Sequence, residues 1–550
     1  MRRRIGGWAA LVLALAAALP VLAAPPPSPP KLIVAISVDQ FADALFRHYR
    51  PAYSGGLARL AGGIGFTGYQ SHAATETCPG HSTILTGDHP AHTGIVANEW
   101  FDVATGSSIY CVSVPGTADP GARGGQYLKV DTLGDWLKRA RPGARVIAVS
   151  GKDRAAIMMG GHHADAIYWW ADRAGFTTSR YAAPATPAVM EPARTFDTAL
   201  FARWRASPPA LWPAEVPARC VAMEHPQSFG TLTLSGHVPP DGAKGIEAGD
   251  FLHSADFADQ LRASPLFDAE TLRFASDLID HDRLGHGPAT DLLAISLSAT
   301  DYIGHRYGNG GPEMCAQVAA LDHALGIFFA RLDALGVPYV VVLTGDHGAE
   351  DATERAVAEG GTAQRIDGAA FVAALNRAVK AEVGLSYDPI MGGDPQQLLI
   401  NVGPDPVLRG RVRDAAVAWL KARPEVAAVF TADQVIAAAP PPGKPVTDLS
   451  LAERFHESYY PGRSGDIAVA YREGTTLFIP HRPGDIVATH GSPWDYDRRV
   501  PILFWWPGAP EEQRHEPAET VDIAPTLAAI ADIPAPPVDG HCLPQVAACR

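Results

Sequence analysis

The sequence has no internal repeat at a fixed period, which excludes solenoids, propellers and other arrays of identical units. Beyond its first two dozen residues it has no run that reads as long and apolar enough for a membrane span. It has no Cys-x-x-Cys pair, which excludes a thiolate zinc knuckle. It is also short of positive charge, with 45 Lys and Arg against 59 Asp and Glu and a formal net charge of −14. Such an acidic surface suits neither a nucleic acid nor an anionic membrane, and stable membrane insertion is not expected. An anionic ligand would need positive charge concentrated locally.

What is present is ample core. With 550 residues and 47% hydrophobic content, the chain can bury a large globular interior, most simply as one decorated domain. Its 53 glycines and 48 prolines are dispersed, the mark of many loops and not of a low-complexity chain. Residues 1–23 read as an export signal: Arg2, Arg3 and Arg4, an apolar stretch from Trp8 to Leu22, and the small residues Val21 and Ala23 before cleavage. An uncleaved anchor is the competing reading of the same stretch. No Cys lies near the cleavage point, which argues against a lipoprotein. Export implies a periplasmic or secreted protein whose mature chain starts with an extended Pro-rich tether at 24–30. In that oxidising setting Cys78, Cys111, Cys220, Cys315, Cys542 and Cys549 favour disulfides. Cys542 with Cys549 is the easiest pair to close, and the other four allow three pairings.

Four polar motifs each follow a run of β-type apolar residues. The runs are Leu32 to Val38 before Asp39, Val146 to Ser150 before Lys152 and Arg154, Leu292 to Ser298 before Asp301 and His305, and Tyr339 to Thr344 before Asp346 and His347. In an open α/β sheet, ligands sit outside the carboxyl ends of the strands, so these residues converge on one crevice. The expected fold is a mostly parallel central sheet with helices on both faces. Residues 31–550 form its single domain, and the motif-poor stretches near 173–289 and 361–484 read as cap insertions.

Each motif also has a bland reading. Asp301 and His305 share a face only if they lie on a helical turn, and a surface pair at that spacing is usually unrelated. In Thr-Gly-Asp-His-Gly, consecutive ligands Asp346 and His347 need an irregular backbone, which Gly345 and Gly348 allow. Asp39 could be a helix N-cap and His490 a lone loop histidine. Together, mixed Asp and His ligands suit zinc. Thr77 opens Thr-Cys-Pro-Gly-His-Ser, where a helix starts with Pro79 in its first turn. It could be a nucleophile favoured by the positive end of the helix or a helix cap, and Thr75 competes with it. Lys152-Asp153-Arg154 could be an anion clamp or a solvated turn. His162 and His163 read as structural or supporting, His81 and Ser82 as supports of the helix start. Trp169, Trp170, Trp505 and Trp506 read as core or pocket wall, and Phe101 and Tyr110 as candidates for a leaving-group pocket.

In chain order, Asp39, Thr77, Asn98, Lys152 with Arg154, Asp301 with His305, Asp346 with His347, and His490 resemble the alkaline phosphatase superfamily. Within it the chain looks like the type I phosphodiesterase and nucleotide pyrophosphatase branch. It is most similar there to the bacterial phosphate-irrepressible alkaline phosphatases with a threonine nucleophile. The resemblance runs from about Lys31 to Ala535, with gaps. It implies Thr77 over Thr75 as nucleophile and two zinc ions per chain. One would be held by Asp301, His305 and His490, the other by Asp39, Asp346, His347 and the Thr77 oxygen. Asn98, Lys152 and Arg154 would bind the phosphoryl group, the last two standing where other alkaline phosphatases use a magnesium ion.

Charge argues for a monoester. Two zinc ions are cancelled by Asp39, Asp301, Asp346 and a Thr77 alkoxide, so Lys152 and Arg154 are left to match a dianion, where a diester has a single charge. The expectation is an exported zinc phosphomonoesterase that acts on small phosphate monoesters through a phosphothreonine intermediate, with a monomer as the working state. The alternative is a phosphodiesterase or nucleotide pyrophosphatase on the same scaffold. A sulfatase would need a modifiable Cys or Ser in place of Thr77, and a noncatalytic zinc or phosphate binder would not need the whole set.

Overall fold

Four segments, Val146–Ser150, Asp291–Leu297, Leu32–Val38 and Tyr339–Thr344, lie side by side in that order as the parallel centre of a large sheet. Every residue in them is buried, so both faces must be covered. Alternation along Leu32–Val38 shows how. Leu32, Val34, Ile36 and Val38 face a core with the helices Pro187–Ala206, Pro265–His281 and Pro312–Asp333. Ile33 and Ala35 face a second core with Thr77–Thr86, Leu133–Ala140, Asp153–Gly160 and Ile523–Ile530. Ala166–Ala171 extends the parallel centre on one side. On the other, Arg499–Trp505 and Ile64–Tyr69 continue it with antiparallel pairings.

The computed structural model describes residues 25–26, 29–102, 105–241, 254–392 and 396–549, and the export-signal stretch lies outside them. Pro30 is already part of the fold, being buried, with a carbonyl that accepts the Thr290 hydroxyl at 2.6 Å. The stretch 173–289 is not simply a cap. Gly175–Thr177 adds an antiparallel edge strand to the main sheet, and two of its helices fill one core face. By contrast, 361–484 carries a four-stranded antiparallel sheet of its own, with Gly368–Val383 and Pro406–Lys421 packed in a separate core. Pro312–Asp333 corrects one expectation, since its 22 residues do have the length and composition of a membrane span. Here it is a core helix packed against Gly56–Ala61 and Pro265–His281.

All six cysteines are paired, Cys78 with Cys111, Cys220 with Cys315 and Cys542 with Cys549. The first ties the start of the Thr77–Thr86 helix to the end of the strand Ser107–Tyr110.

Candidate active site

The four motifs emerge together at the carboxyl ends of the parallel strands. The Asp39 amide donates to the Leu297 carbonyl at 2.9 Å, and Gln40 beside it takes the left-handed conformation at φ 65°. Gln40 N–H donates to Asp346 Oδ1 (3.0 Å) and its Nε2 to Asn309 Oδ1 (3.1 Å), which anchor the turn that aims Asp39. Asp301 and His305 lie four apart on the helix Ala299–Tyr307, with His305 Nε2 3.2 Å from Asp301 Oδ1. From the loop before Asp495–Arg498, His490 Nε2 lies 3.4 Å from the same oxygen. His347 Nε2 stands 3.3 Å from Asp346 Oδ2 and 3.5 Å from Asp39 Oδ1. Gly348 is demanded by crowding and not by its dihedrals, because a Cβ there would overlap the Tyr496 carbonyl.

The histidines are set by their backbone partners. Nδ1 lies 2.9 Å from the Ala488 carbonyl in His305, 2.9 Å from Gly348 in His347, and 2.8 Å from Thr75 in His490. Donation there fixes each ring's orientation and, in the neutral imidazole, leaves the Nε2 lone pair toward the carboxylates. Burial pushes His347 down to about 3 and lowers His490, while Asp301 lifts His305 against the effect of burial. Asp39 is held well above the usual carboxylate range, first by burial and then by the charges of Asp301 and Asp346.

Among the described residues, Asp39 Oδ1, Asp301 Oδ1, Asp346 Oδ2 and His347 Nε2 accept no hydrogen bond. Buried acceptors that face acceptors are costly unless a cation stands between them. The donor set therefore fits metal ions. One group of ligand atoms within 4.8 Å of one another comprises Asp39, Asp346 and His347, and another Asp301, His347 and His490, so His347 borders both. His305 joins the second group through Asp301.

Positive charge is concentrated where the sequence placed it. Lys152 is buried, with Nζ 2.5 Å from both Asp39 Oδ2 and Asp301 Oδ2, and these carboxylates hold it above its ordinary range although burial opposes the charge. The Arg154 guanidinium donates through Nη2 to Thr77 Oγ1 at 3.4 Å and through Nη1 to Tyr110 Oη at 3.5 Å. Its Nε has no partner among the described residues.

Thr77 is the first residue of its helix and not its cap, a position taken by Glu76. Thr75 is committed elsewhere, its hydroxyl donating to the Ser492 carbonyl at 2.7 Å. Asn98 is fixed by its N–H to Glu76 Oε2 (2.7 Å) and by its Oδ1, which accepts Cys78 N–H (2.8 Å), so its amide hydrogens remain as donors. A cleft of about 350 Å³ opens beside Asn98, His305 and His490.

Sequence reasoning missed the frame of Arg154. Tyr110 Oη donates to Asp153 Oδ1 at 2.6 Å, and Arg123 Nε to Asp153 Oδ2 at 2.8 Å, so Tyr110 braces the guanidinium where a leaving-group wall was expected. The Tyr302 ring lies 4.9 Å from Lys152 Nζ. The apolar run before Lys152 and Arg154 and their family position pointed to this region, but not to the frame. His162 and His163 stay out of the site and bind Asp135 instead. His81 supports the helix start through the Thr77 carbonyl at 2.9 Å and also lies 3.0 Å from Asp346 Oδ2.

Comparison with known proteins identifies the family. The family model described as type I phosphodiesterase / nucleotide pyrophosphatase matches residues 33–493. Alkaline phosphatase PhoK of a Sphingomonas species is 43% identical, over 94% of this chain and 92% of its own. Alkaline phosphatase PhoD of Zymomonas mobilis is 42% identical, over 93% and 88%. The crystal structure of wild-type alkaline phosphatase PafA superposes with a TM-score of 0.81 at 27% identity, covering 94% of this chain and 99% of that one. By sequence and by the whole of its fold, the chain belongs to the type I phosphodiesterase / nucleotide pyrophosphatase family.

Proposed function

We propose that this protein is an exported, zinc-dependent phosphomonoesterase that hydrolyses small phosphate monoesters, acting as a monomer in the periplasm or outside the cell. The carrying observation is Arg154, bonded to the Thr77 hydroxyl with Nε unspent, together with Lys152, a second buried cation two residues earlier whose Nζ lies 2.5 Å from Asp39 Oδ2 and Asp301 Oδ2. A monoester dianion matches that pair, and the relatives PhoK, PhoD and PafA are named alkaline phosphatases. Asp301, His305 and His490 would hold one ion and Asp39, Asp346, His347 and Thr77 the other. When bound, the two ions supply positive charge that favours the Thr77 alkoxide and the departing oxygen.

The chain's own residues do the rest. Thr77 Oγ1 forms the bond to phosphorus as the bond to the leaving oxygen breaks, giving phosphothreonine and the freed alcohol. Water then attacks phosphorus, and the Thr77–phosphorus bond breaks to release inorganic phosphate. The Arg154 fork, the Lys152 ammonium and the Asn98 amide hold the nonbridging oxygens, while the helix start favours their negative charge.

The test compares kcat/KM for p-nitrophenyl phosphate and bis-p-nitrophenyl phosphate on zinc-loaded enzyme, wild type and Arg154→Ala. The monoester should be preferred, and the variant should lose about a hundredfold or more on it while the diester changes little. A diester preference indifferent to Arg154 would establish the phosphodiesterase alternative.

A further inference from the structure

We propose that the cleft beside His305 and His490 is a leaving-group subsite for a polyhydroxylated ring, which makes sugar phosphates the favoured class of monoester. This rests on the phosphomonoesterase reading of the same site. The cleft, about 350 Å³, shares Asn98, His305 and His490 with the site, so a group departing from phosphorus at Thr77 has this space beside it. A volume of this size accommodates a single sugar ring.

Its lining sets the carboxyl groups of Glu76, Glu350 and Asp497 and several aromatic rings among Arg472, Gln396 and three threonines. Asp497 is 1% exposed, and its Oδ2 accepts the Ser492 N–H at 2.8 Å. Among the described residues its Oδ1 has no partner. Its backbone carbonyl accepts the Gly348 N–H at 2.6 Å, which locks it to the loop that carries His347. Glu350, three residues beyond His347, and Glu76, whose Oε2 accepts the Asn98 N–H, are the other acidic side chains of the lining. The rings are Tyr471, Phe478, Trp494 and Tyr496. Trp494 Nε1–H is spent on the Tyr471 carbonyl at 3.0 Å and Tyr496 Oη accepts the Gly474 N–H at 3.3 Å, so both are fixed walls.

A buried carboxylate oxygen without a donor is costly until a donor arrives. Sugar hydroxyls are such donors, and aromatic faces cover the C–H faces of the ring. A ring without hydroxyls fills the same space but leaves Asp497 Oδ1 unpaired. Sites built to bond a hydroxyl reject the analogue that lacks it.

The experiment measures kcat/KM for glucose 6-phosphate and for cyclohexylmethyl phosphate, which has the same ring size and a primary alkyl oxygen but no hydroxyls. Zinc-loaded wild type should favour the sugar phosphate by about tenfold or more. Asp497→Asn should bring that ratio toward one while turnover of the cyclohexyl ester persists. Phe478→Ala, on a half-buried wall, should lower the ratio in the same direction and serves if Asp497→Asn does not fold. Equal wild-type values, or a ratio unchanged in the folded variants, would overturn the subsite alone. Hydrolysis of neither monoester beside turnover of a diester would overturn the phosphomonoesterase reading and the subsite with it.

Discussion

Each histidine of the site is oriented by a backbone carbonyl, His305 by Ala488 and His490 by Thr75 from distant parts of the chain, and His347 by its neighbour Gly348. Position therefore depends on close backbone packing, and the test of that dependence is Gly348→Ala. Its Cβ would overlap the Tyr496 carbonyl, so the His347 loop must shift. We expect a cost of about 1–3 kcal/mol in stability and weaker metal uptake, read by thermal unfolding and by zinc content after dialysis. Unchanged zinc content would show that the loop tolerates the shift. Most of the site was legible at this scale because Asp39, Lys152, Arg154, Asp301, His305, Asp346 and His347 each follow an apolar strand. The brace of Arg154 was not, since Tyr110, Arg123 and Asp153 come from separate segments whose meeting no local pattern encodes.

The strand Gly175–Thr177 and the helix Pro187–Ala206 are joined by Asp197, whose Oδ1 accepts the Phe176 N–H at 3.1 Å. Burial pushes the Asp197 carboxyl up to about 7. The folded state therefore keeps this proton longer than the unfolded chain, where Asp titrates at about 4. Its contribution to stability is full below about pH 4 and is lost as the pH rises through about 7. Asp197→Asn imitates the protonated form. From about pH 4 to pH 8, its unfolding temperature should gain on that of the wild type by a few degrees, and a gap that stays constant would show that Asp197 does not titrate in this window. These two elements lie in the stretch that the sequence read as a cap. The strand is only three residues long and the helix carries an internal proline, Pro192, so neither pattern announced its place in the main layers.

At the scale of the whole molecule, the proposed metal ligands come from segments between Asp39 and His490, so ions bound there would tie distant parts of the chain together. Chelation should then lower the unfolding temperature as well as abolish activity. Zinc should restore both in a concentration-dependent way, since a ligand bound only to the folded state stabilises by mass action. An unfolding temperature indifferent to chelator and zinc would show that the buried carboxylates need no ion. The parallel centre of the sheet was legible from four apolar runs. The pairings Cys78–Cys111 and Cys220–Cys315 were not, because the partners stand 33 and 95 residues apart. The most direct test of the central claim is acid quench of the zinc-loaded enzyme during turnover of a radiolabelled monoester, followed by peptide mapping. Label on the peptide that begins its helix at Thr77, absent in Thr77→Ala, is the result expected. Label on another residue, or turnover retained by Thr77→Ala, would contradict it.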